Sequence, residues 1–247
     1  MEGPTLDRFI LSGFIEDEHK SRVLVDMAHA MQYLHSLRPA IVHGDLKPGN
    51  VFVEVREGDI ICKLADFGLA RRVTISAQNM GGTLRWAAPE LVFGDKKASM
   101  KADIYSLGQV MYFILTGRRP YQGLATSEIH SNMRRNMDPT EKWPSGHLSK
   151  LLKPCIEHCR RTDPTERLAA MAVAEVLETI ATTPGGRRSI HSEGSRSPKT
   201  VGVPGVVSLH DVSDELMEGN DLDNLDVDAL LCAAFRRARQ EVNETIN

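Results

Sequence analysis

Residues 43–50 read HGDLKPGN, and this polar loop is the stretch of the sequence that decides the fold. Before it, residues 21–37 repeat apolar side chains at steps of three and four, which predicts a helix. After it, residues 51–55 and 60–64 are short β-rich runs separated by the turn signal Arg-Glu-Gly-Asp, which predicts a hairpin. The loop therefore lies between a predicted helix and a predicted hairpin.

The rest of the first 182 residues is predominantly helical in pattern. Residues 103–116 are apolar on nearly all sides and stop before Gly117, which is typical of a helix buried at the centre of a domain. Residues 148–159 and 164–180 are predicted as further helices, the second opened by the pair Asp163-Pro164. The predicted fold class is mainly α (α+β), with one small β-hairpin.

Two shorter motifs complete the pattern: Asp66-Phe67-Gly68 after the hairpin, and Ala88-Pro89-Glu90 further on. In this order and context the three segments resemble the catalytic loop, the metal-binding motif and the activation-segment end of the eukaryotic protein kinase family. Further stretches agree with the family: GT at 82–83, Trp86, DIYSLG at 103–108 and DPTER at 163–167. The resemblance covers residues 1–182. The resemblance favours the Ser/Thr type, because Lys47 lies two residues after Asp45. It also favours the tyrosine-kinase-like group, because residues 86–90 read WAAPE.

The resemblance implies only the large, C-terminal lobe of a kinase. Neither a Gly-x-Gly-x-x-Gly loop nor a V-A-I-K strand precedes residue 43, and the opening residues resemble the hinge between the two lobes. We therefore expect the small lobe to be absent, and the isolated chain to bind ATP weakly and transfer phosphate poorly. Two explanations stay open: an incomplete piece of a longer kinase, or a degenerate, scaffold-like remnant.

The resemblance also assigns site residues for phosphoryl transfer from ATP and Mg²⁺ to a protein hydroxyl. Such a reaction needs positioning and charge neutralisation more than covalent chemistry from the protein. Asp45 would orient the substrate hydroxyl, and Lys47 would stabilise charge on the transferred phosphate. Asn50 and Asp66 would hold Mg²⁺ through oxygen atoms, which this hard ion prefers. The implied catalytic residues are Asp45, Lys47 and Asn50, and the implied ATP-binding residues are Met1, Phe52, Ala65 and Asp66.

Several other polar residues are predicted to be structural. Glu90 and Arg167, if paired, form an ion pair, and Asp103 is a buried acceptor that holds the catalytic loop. His43 is expected to pack and hydrogen-bond without acting as a base. Gly44 stands where many kinases have an arginine that meets an activation-segment phosphate. Activity is therefore predicted not to depend strongly on phosphorylation of that segment, where Thr74, Ser76 and Thr83 are the hydroxyls.

Residues 183–247, after the predicted helical body, have the sequence pattern of a linker followed by a short helix. Residues 183–223 begin with a stretch rich in Gly, Ser, Arg and Pro and are predicted to be a disordered linker. Residues 224–247 contain apolar side chains at steps of three and four, with acidic residues at the start and arginines towards the end. This pattern predicts a short amphipathic helix over 226–240 that docks on the kinase body or on a partner, or one that frays in solution.

The composition of the sequence argues against three classes of protein: nucleic-acid binders, membrane-spanning proteins and disulfide-rich scaffolds. The net charge of −3 argues against a nucleic-acid binder, and no stretch is long and apolar enough to span a membrane. Four cysteines in 247 residues do not make a disulfide scaffold, which predicts a reducing, cytoplasmic location. The leading prediction is a protein Ser/Thr kinase; a non-catalytic pseudokinase-like scaffold and an unrelated helical binding module are the competing classes.

Overall fold

The computed structural model describes residues 3–13, 15–56, 59–66, 81–94 and 97–182. Within them lie a two-stranded antiparallel hairpin, β1 (Val51–Arg56) and β2 (Asp59–Leu64), and short 3-10 turns at Pro48–Asn50, Gly81–Arg85 and Pro164–Glu166. The helices of this part are α1 (Leu6–Leu11), α2 (Asp17–Ser36), α3 (Pro89–Phe93), α4 (Met100–Thr116), α5 (Thr126–Arg134), α6 (His147–Cys159) and α7 (Ala170–Thr182). The predicted fold class, a mainly helical body with one small hairpin, is confirmed. The predicted linker and tail helix lie outside the described residues.

Helix α4 is the centre of the body, as its all-round apolar sequence predicts. Its side chains from Ala102 to Leu115 are buried, and α2 and α6 pack against it. The helix begins at Met100 because Ser99 caps it, accepting a hydrogen bond from the Ala102 amide at 3.2 Å. It ends at Thr116, because the next residue, Gly117, has a φ of +66°, a conformation that glycine adopts without strain.

The hairpin lies between α2 and the first residues of the chain. Val51 and Val53 point into the core, and β2 packs on α2. On the other side the Val53 amide donates to the Pro4 carbonyl at 2.9 Å. The neighbouring Gly3 has a φ of +120°, and a Cβ atom on it would lie 2.3 Å from the Val53 carbonyl oxygen. Only glycine fits at this crossing.

One predicted helix is wrong in its bounds. Residues 164–180 were expected to form a single helix, but the 3-10 turn Pro164–Glu166 is followed by Arg167 in an extended conformation, and α7 begins only at Ala170. The reason is tertiary: this break turns the Arg167 side chain into a buried site that is described below. Helices α3 and α5 were not predicted, since they have only 5 and 9 residues.

No helix within the described ranges combines the length and the hydropathy that crossing a membrane requires.

Candidate functional site

The start of the loop 43–50 is held in place by one carboxylate on the central helix α4, that of Asp103. Asp103 lies in the first turn of α4 and is 1% exposed. Its Oδ2 accepts the His43 amide and its Oδ1 accepts the Gly44 amide, both at 2.8 Å. The His35 ring contacts Oδ2 at 3.0 Å from the end of α2. The predicted role of Asp103 as a buried acceptor for this loop is confirmed.

His43 joins the loop to the end of the hairpin. Its ring is fully buried; the Asp45 amide donates to Nδ1 at 3.4 Å, and Nε2 lies 3.2 Å from the Ala65 carbonyl oxygen. Because Nδ1 accepts and the carbonyl can only accept, the hydrogen-bond network assigns the ring proton to Nε2. Because both ring nitrogens of His43 form hydrogen bonds within the protein, the side chain has a structural role, which agrees with the prediction that it packs and hydrogen-bonds.

Two side chains of the loop, Lys47 and Asn50, converge on one carboxylate oxygen of Asp45. Asp45 Oδ2 accepts from Lys47 Nζ at 2.5 Å and from Asn50 Nδ2 at 3.2 Å. The same Asn50 nitrogen donates to the Asp45 carbonyl oxygen at 2.9 Å. Asn50 can be placed this way because the 3-10 turn that begins at Pro48 bends the backbone back, with the Asn50 amide donating to the Lys47 carbonyl at 2.9 Å.

The other oxygen of Asp45 is oriented but unused. The residue is 6% exposed, and its buried Oδ1 has no hydrogen-bond partner among the described residues. Burying a carboxylate oxygen without a donor is unfavourable by itself. A carboxylate that is fixed through one oxygen and has no partner on the other is suited to receive a hydroxyl proton or to orient a hydroxyl group.

The open end of the hairpin brings the predicted metal ligands to one edge. Val51 pairs with Leu64, and the Ala65 amide donates to the Asn50 carbonyl at 2.8 Å, so Asp66 follows directly beside Asn50. Asp66 is exposed and has a φ of +60°, a left-handed conformation that Asp tolerates better than most residues. Since the Asn50 amide nitrogen is committed to Asp45, its oxygen is the atom left for a ligand. A carboxylate and an amide oxygen form a donor set that fits Mg²⁺.

The predicted ATP-binding residues are only partly described. Phe52 is half-buried on β1, opposite Lys63 and bridged to Thr5 of the opening segment. Ala65 is buried at the end of β2. Met1 lies outside the described residues, as do Phe67 and Gly68.

Lys47 also connects the loop to the segment before α3. Its Nζ donates to Thr83 Oγ1 at 3.2 Å, in the 3-10 turn Gly81–Arg85. Trp86 follows this turn, and its buried ring meets Phe113 of α4 edge-on with centroids 5.8 Å apart. The segment is therefore fixed at both ends, to the loop and to the core.

Glu90 and Arg167 form the predicted ion pair, and it is bidentate. The two guanidinium Nη atoms donate to the two carboxylate oxygens at 2.6 and 2.7 Å. The remaining three N–H groups donate to carbonyl oxygens of Arg161, Thr162 and Lys101 at 2.7, 3.1 and 2.8 Å. Every donor of Arg167, which is 1% exposed, is thus satisfied. Burial and the Arg167 charge lower the pKa of the adjacent Lys101, whose Nζ donates to the Arg167 carbonyl.

Gly44 has a φ of +78°, a backbone conformation that disfavours any side chain. Thr74 and Ser76, the hydroxyls of the predicted activation segment, lie outside the described residues.

Sequence reasoning did not identify His35 or Lys101 as part of these networks. His35 is separated from its Asp103 partner by 68 residues, and Lys101 lies 66 residues from Arg167. The lone His and Lys carry no spacing signal, so only the folded structure brings them into view.

Comparison with known proteins agrees with this geometry. Residues 1–177 match the family model described as "Protein kinase domain". Receptor-interacting serine/threonine-protein kinase 3 of Rattus norvegicus is 36% identical over 159 residues, which cover 59% of this chain and 33% of that protein. A probable serine/threonine-protein kinase of Dictyostelium discoideum is 37% identical over 153 residues, 60% of this chain and 14% of that protein.

The name of a third relative includes ankyrin repeats beside the protein kinase domain. Ankyrin repeat and protein kinase domain-containing protein 1 of Mus musculus is 31% identical over 170 residues, 63% of this chain and 22% of that protein. The chain thus spans a third or less of the length of these three relatives.

Proposed function

This chain belongs to the protein kinase family, and from that premise we propose that it serves ATP- and Mg²⁺-dependent transfer of phosphate to serine or threonine hydroxyls of a protein substrate. The relatives whose names include serine/threonine-protein kinase support the residue class. The match over residues 1–177 supports the reaction class.

The observation that carries the proposal is the environment of Asp45. One oxygen of its carboxylate is held by Lys47 and Asn50, and the other is buried without a partner among the described residues. A substrate hydroxyl seated against that free oxygen would be oriented by a group that cannot rotate away. In the proposal Asp45 accepts the hydroxyl proton as the oxygen attacks.

Lys47 supplies positive charge next to the same point. Its Nζ is shared between Asp45 and Thr83, so the ammonium group is held between the catalytic carboxylate and the segment that a substrate would meet. A fixed cation there stabilises the negative charge that develops during transfer.

Asn50 and Asp66 are the residues proposed to hold Mg²⁺, and Phe52 and Ala65, with Met1, are proposed to line the ATP site. When bound, the ion neutralises phosphate charge and orients the phosphate oxygens. The support from this chain is the oxygen donor set and the hairpin pairing that brings Asn50 and Asp66 to one edge.

The first experiment measures binding. We expect Mg²⁺-ATP to raise the melting temperature of the chain, and Asp66→Ala to abolish the rise. Asp59→Ala, an exposed aspartate on the same hairpin, is the matched control and should keep it. Equal responses of the unaltered chain and the Asp66→Ala variant to Mg²⁺-ATP would instead favour the competing class, a non-catalytic scaffold.

The second experiment measures transfer of labelled phosphate from ATP to casein, followed by phosphoamino acid analysis. Transfer by the isolated chain is expected to be slow, with the label on serine and threonine, and Asp45→Asn should lower the rate by about 100-fold or more, since general-base assistance is removed. An Asp45→Asn variant with an unchanged rate would contradict the assigned role.

A further inference from the structure

Three arginines form one surface beside the segment that Lys47 holds. Arg118 and Arg119 lie on the loop between α4 and α5, and Arg85 reaches this loop from the 3-10 turn Gly81–Arg85. The Arg85 guanidinium donates to three carbonyl oxygens of the loop: Pro120 at 3.0 Å, Leu124 at 3.1 Å, and Tyr121. We call Arg85, Arg118 and Arg119 the arginine surface.

The charges of the arginine surface are poorly neutralised. Arg119 is exposed, and its one ion pair within the described residues is a long 3.8 Å contact with Asp7. The Arg118 Nε atom is buried and has no hydrogen-bond partner in the described part of the chain. Burial and the nearby Arg119 charge lower the pKa of Arg85, against an opposing contribution from Asp138. An arriving anion would relieve this repulsion.

The arginine surface lies close to the candidate catalytic carboxylate. Lys47 bonds to both Asp45 and Thr83, and Arg85 is two residues beyond Thr83 in a 3-10 turn. A 3-10 turn rises about 2 Å per residue, so the backbone from Thr83 to Arg85 covers about 4 Å. An extended peptide advances about 3.3 Å per residue. A peptide with its hydroxyl at Asp45 would therefore reach the backbone of Arg85 within about three residues, and the loop that Arg85 binds a little beyond it.

We propose that the arginine surface selects substrates whose serine or threonine is flanked, within about five residues on one side, by aspartate or glutamate. The inference deepens the proposed function, on which the word substrate rests. Guanidinium groups suit this task because they are always charged and bind carboxylates through two parallel N–H donors. Arg119 would make the direct contact, while Arg85 fixes the loop that presents it.

The same chemistry is present in the chain's own tail, where residues 211–228 contain eight acidic residues and no basic one. We assign the arginine surface to a substrate segment in trans. A synthetic peptide of residues 211–228 enters the test as a competitor.

The experiment measures fluorescence anisotropy of labelled 11-residue peptides with the full chain, without ATP. One peptide has a central serine flanked by Asp and Glu, one has Asn and Gln at those positions, and one has Lys. The acidic peptide should bind about tenfold more tightly than the neutral one, and the difference should shrink as salt is added. Arg119→Glu should reverse the preference towards the lysine peptide, an outcome that a purely structural role would not produce. Arg38→Gln, an exposed arginine at the end of α2, removes one positive charge elsewhere and should leave the preference unchanged.

Equal affinity for the three peptides, or a preference that survives Arg119→Glu, would overturn the proposal. Displacement of the acidic peptide by residues 211–228 at concentrations far below those of unlabelled acidic substrate peptide would assign the surface to the tail and also overturn it. Because no ATP is present, the outcome is separate from the proposed function: a chain that selects acidic peptides but transfers no phosphate would refute only the latter.

Discussion

Replacing Glu90 by glutamine is expected to lower the free energy of unfolding by about 3–5 kcal/mol, the range for a buried ion pair that loses one partner. The carboxylate gives each Nη of Arg167 an acceptor, at 2.6 and 2.7 Å. In the Glu90→Gln variant the amide offers one oxygen and one NH₂ group, so a donor faces a donor. The guanidinium also stays charged, in a place where it is 1% exposed.

The contacts of Arg167 explain why the loss should fall within this general range. Arg167 cannot swing out to water cheaply, because the carbonyl groups of Arg161, Thr162 and Lys101 hold it through three hydrogen bonds. Those three bonds survive the substitution, which keeps the loss from growing further.

The assay is urea unfolding followed by circular dichroism. With a slope of about 2 kcal/mol per molar urea, a loss of about 4 kcal/mol moves the midpoint down by about 2 M. Glu166→Gln is the matched control, since Glu166 pairs with Arg161 at 3.7 Å with the two side chains 57% and 49% exposed. An exposed pair contributes less than about 1 kcal/mol. A Glu90→Gln variant no more destabilised than Glu166→Gln would refute the reasoning.

Two further predictions follow from packing and from a pKa. Gly108→Ala should cost about 1–3 kcal/mol in thermal unfolding, because its Cβ would lie 2.8 Å from Cys159 Cβ, whereas Gly49→Ala, with nothing within 4 Å, should cost less; equal losses would contradict the packing argument. Burial and the Asp26 charge raise the pKa of Cys62 from 9.0 to about 12, so at pH 8 its thiolate fraction, and its alkylation by iodoacetamide, should be about a thousandfold below that in urea-unfolded chain. Equal alkylation of Cys62 in folded and unfolded chain, measured by mass spectrometry, would contradict this prediction. The folded thiol also keeps its proton at a pH where the unfolded thiol has lost it. The contribution of Cys62 to the free energy of unfolding is therefore complete below pH 9 and is lost between pH 9 and about 12.

The features that the sequence predicted well are those with a local cause. Helix α4 was found because a run of apolar residues that ends at Gly117 has one stable solution, burial as a helix. The hairpin was found because two β-rich runs flank a turn. Asp45, Lys47 and Asn50 lie together because they belong to one loop of eight residues, whereas their assignment as catalytic residues came from the family resemblance and stays a prediction.

The features that were missed depend on partners distant in sequence. Pro164 follows Asp163, a good helix start, yet the α-helix is delayed to Ala170, because Arg167 must stay extended to reach Glu90, 77 residues away. His35 and the left-handed conformation of Asp66 have no local signature either. In each case a tertiary contact overrides a local preference, and such contacts cannot be seen from spacing.

The Asp103 carboxylate has a consequence for the order in which the protein takes shape during synthesis. It binds the amides of residues that precede it by 60 and 59 positions. A nascent chain that has emerged only as far as residue 102 already has every letter of HGDLKPGN, but it has no acceptor to shape that loop. The loop can acquire its folded geometry only after the ribosome has added the first turn of α4 and that helix has docked. The reason is that the contacts closing a loop of about 60 residues form only once Asp103, at its far end, is present. The motif HGDLKPGN is thus translated early and assembled late.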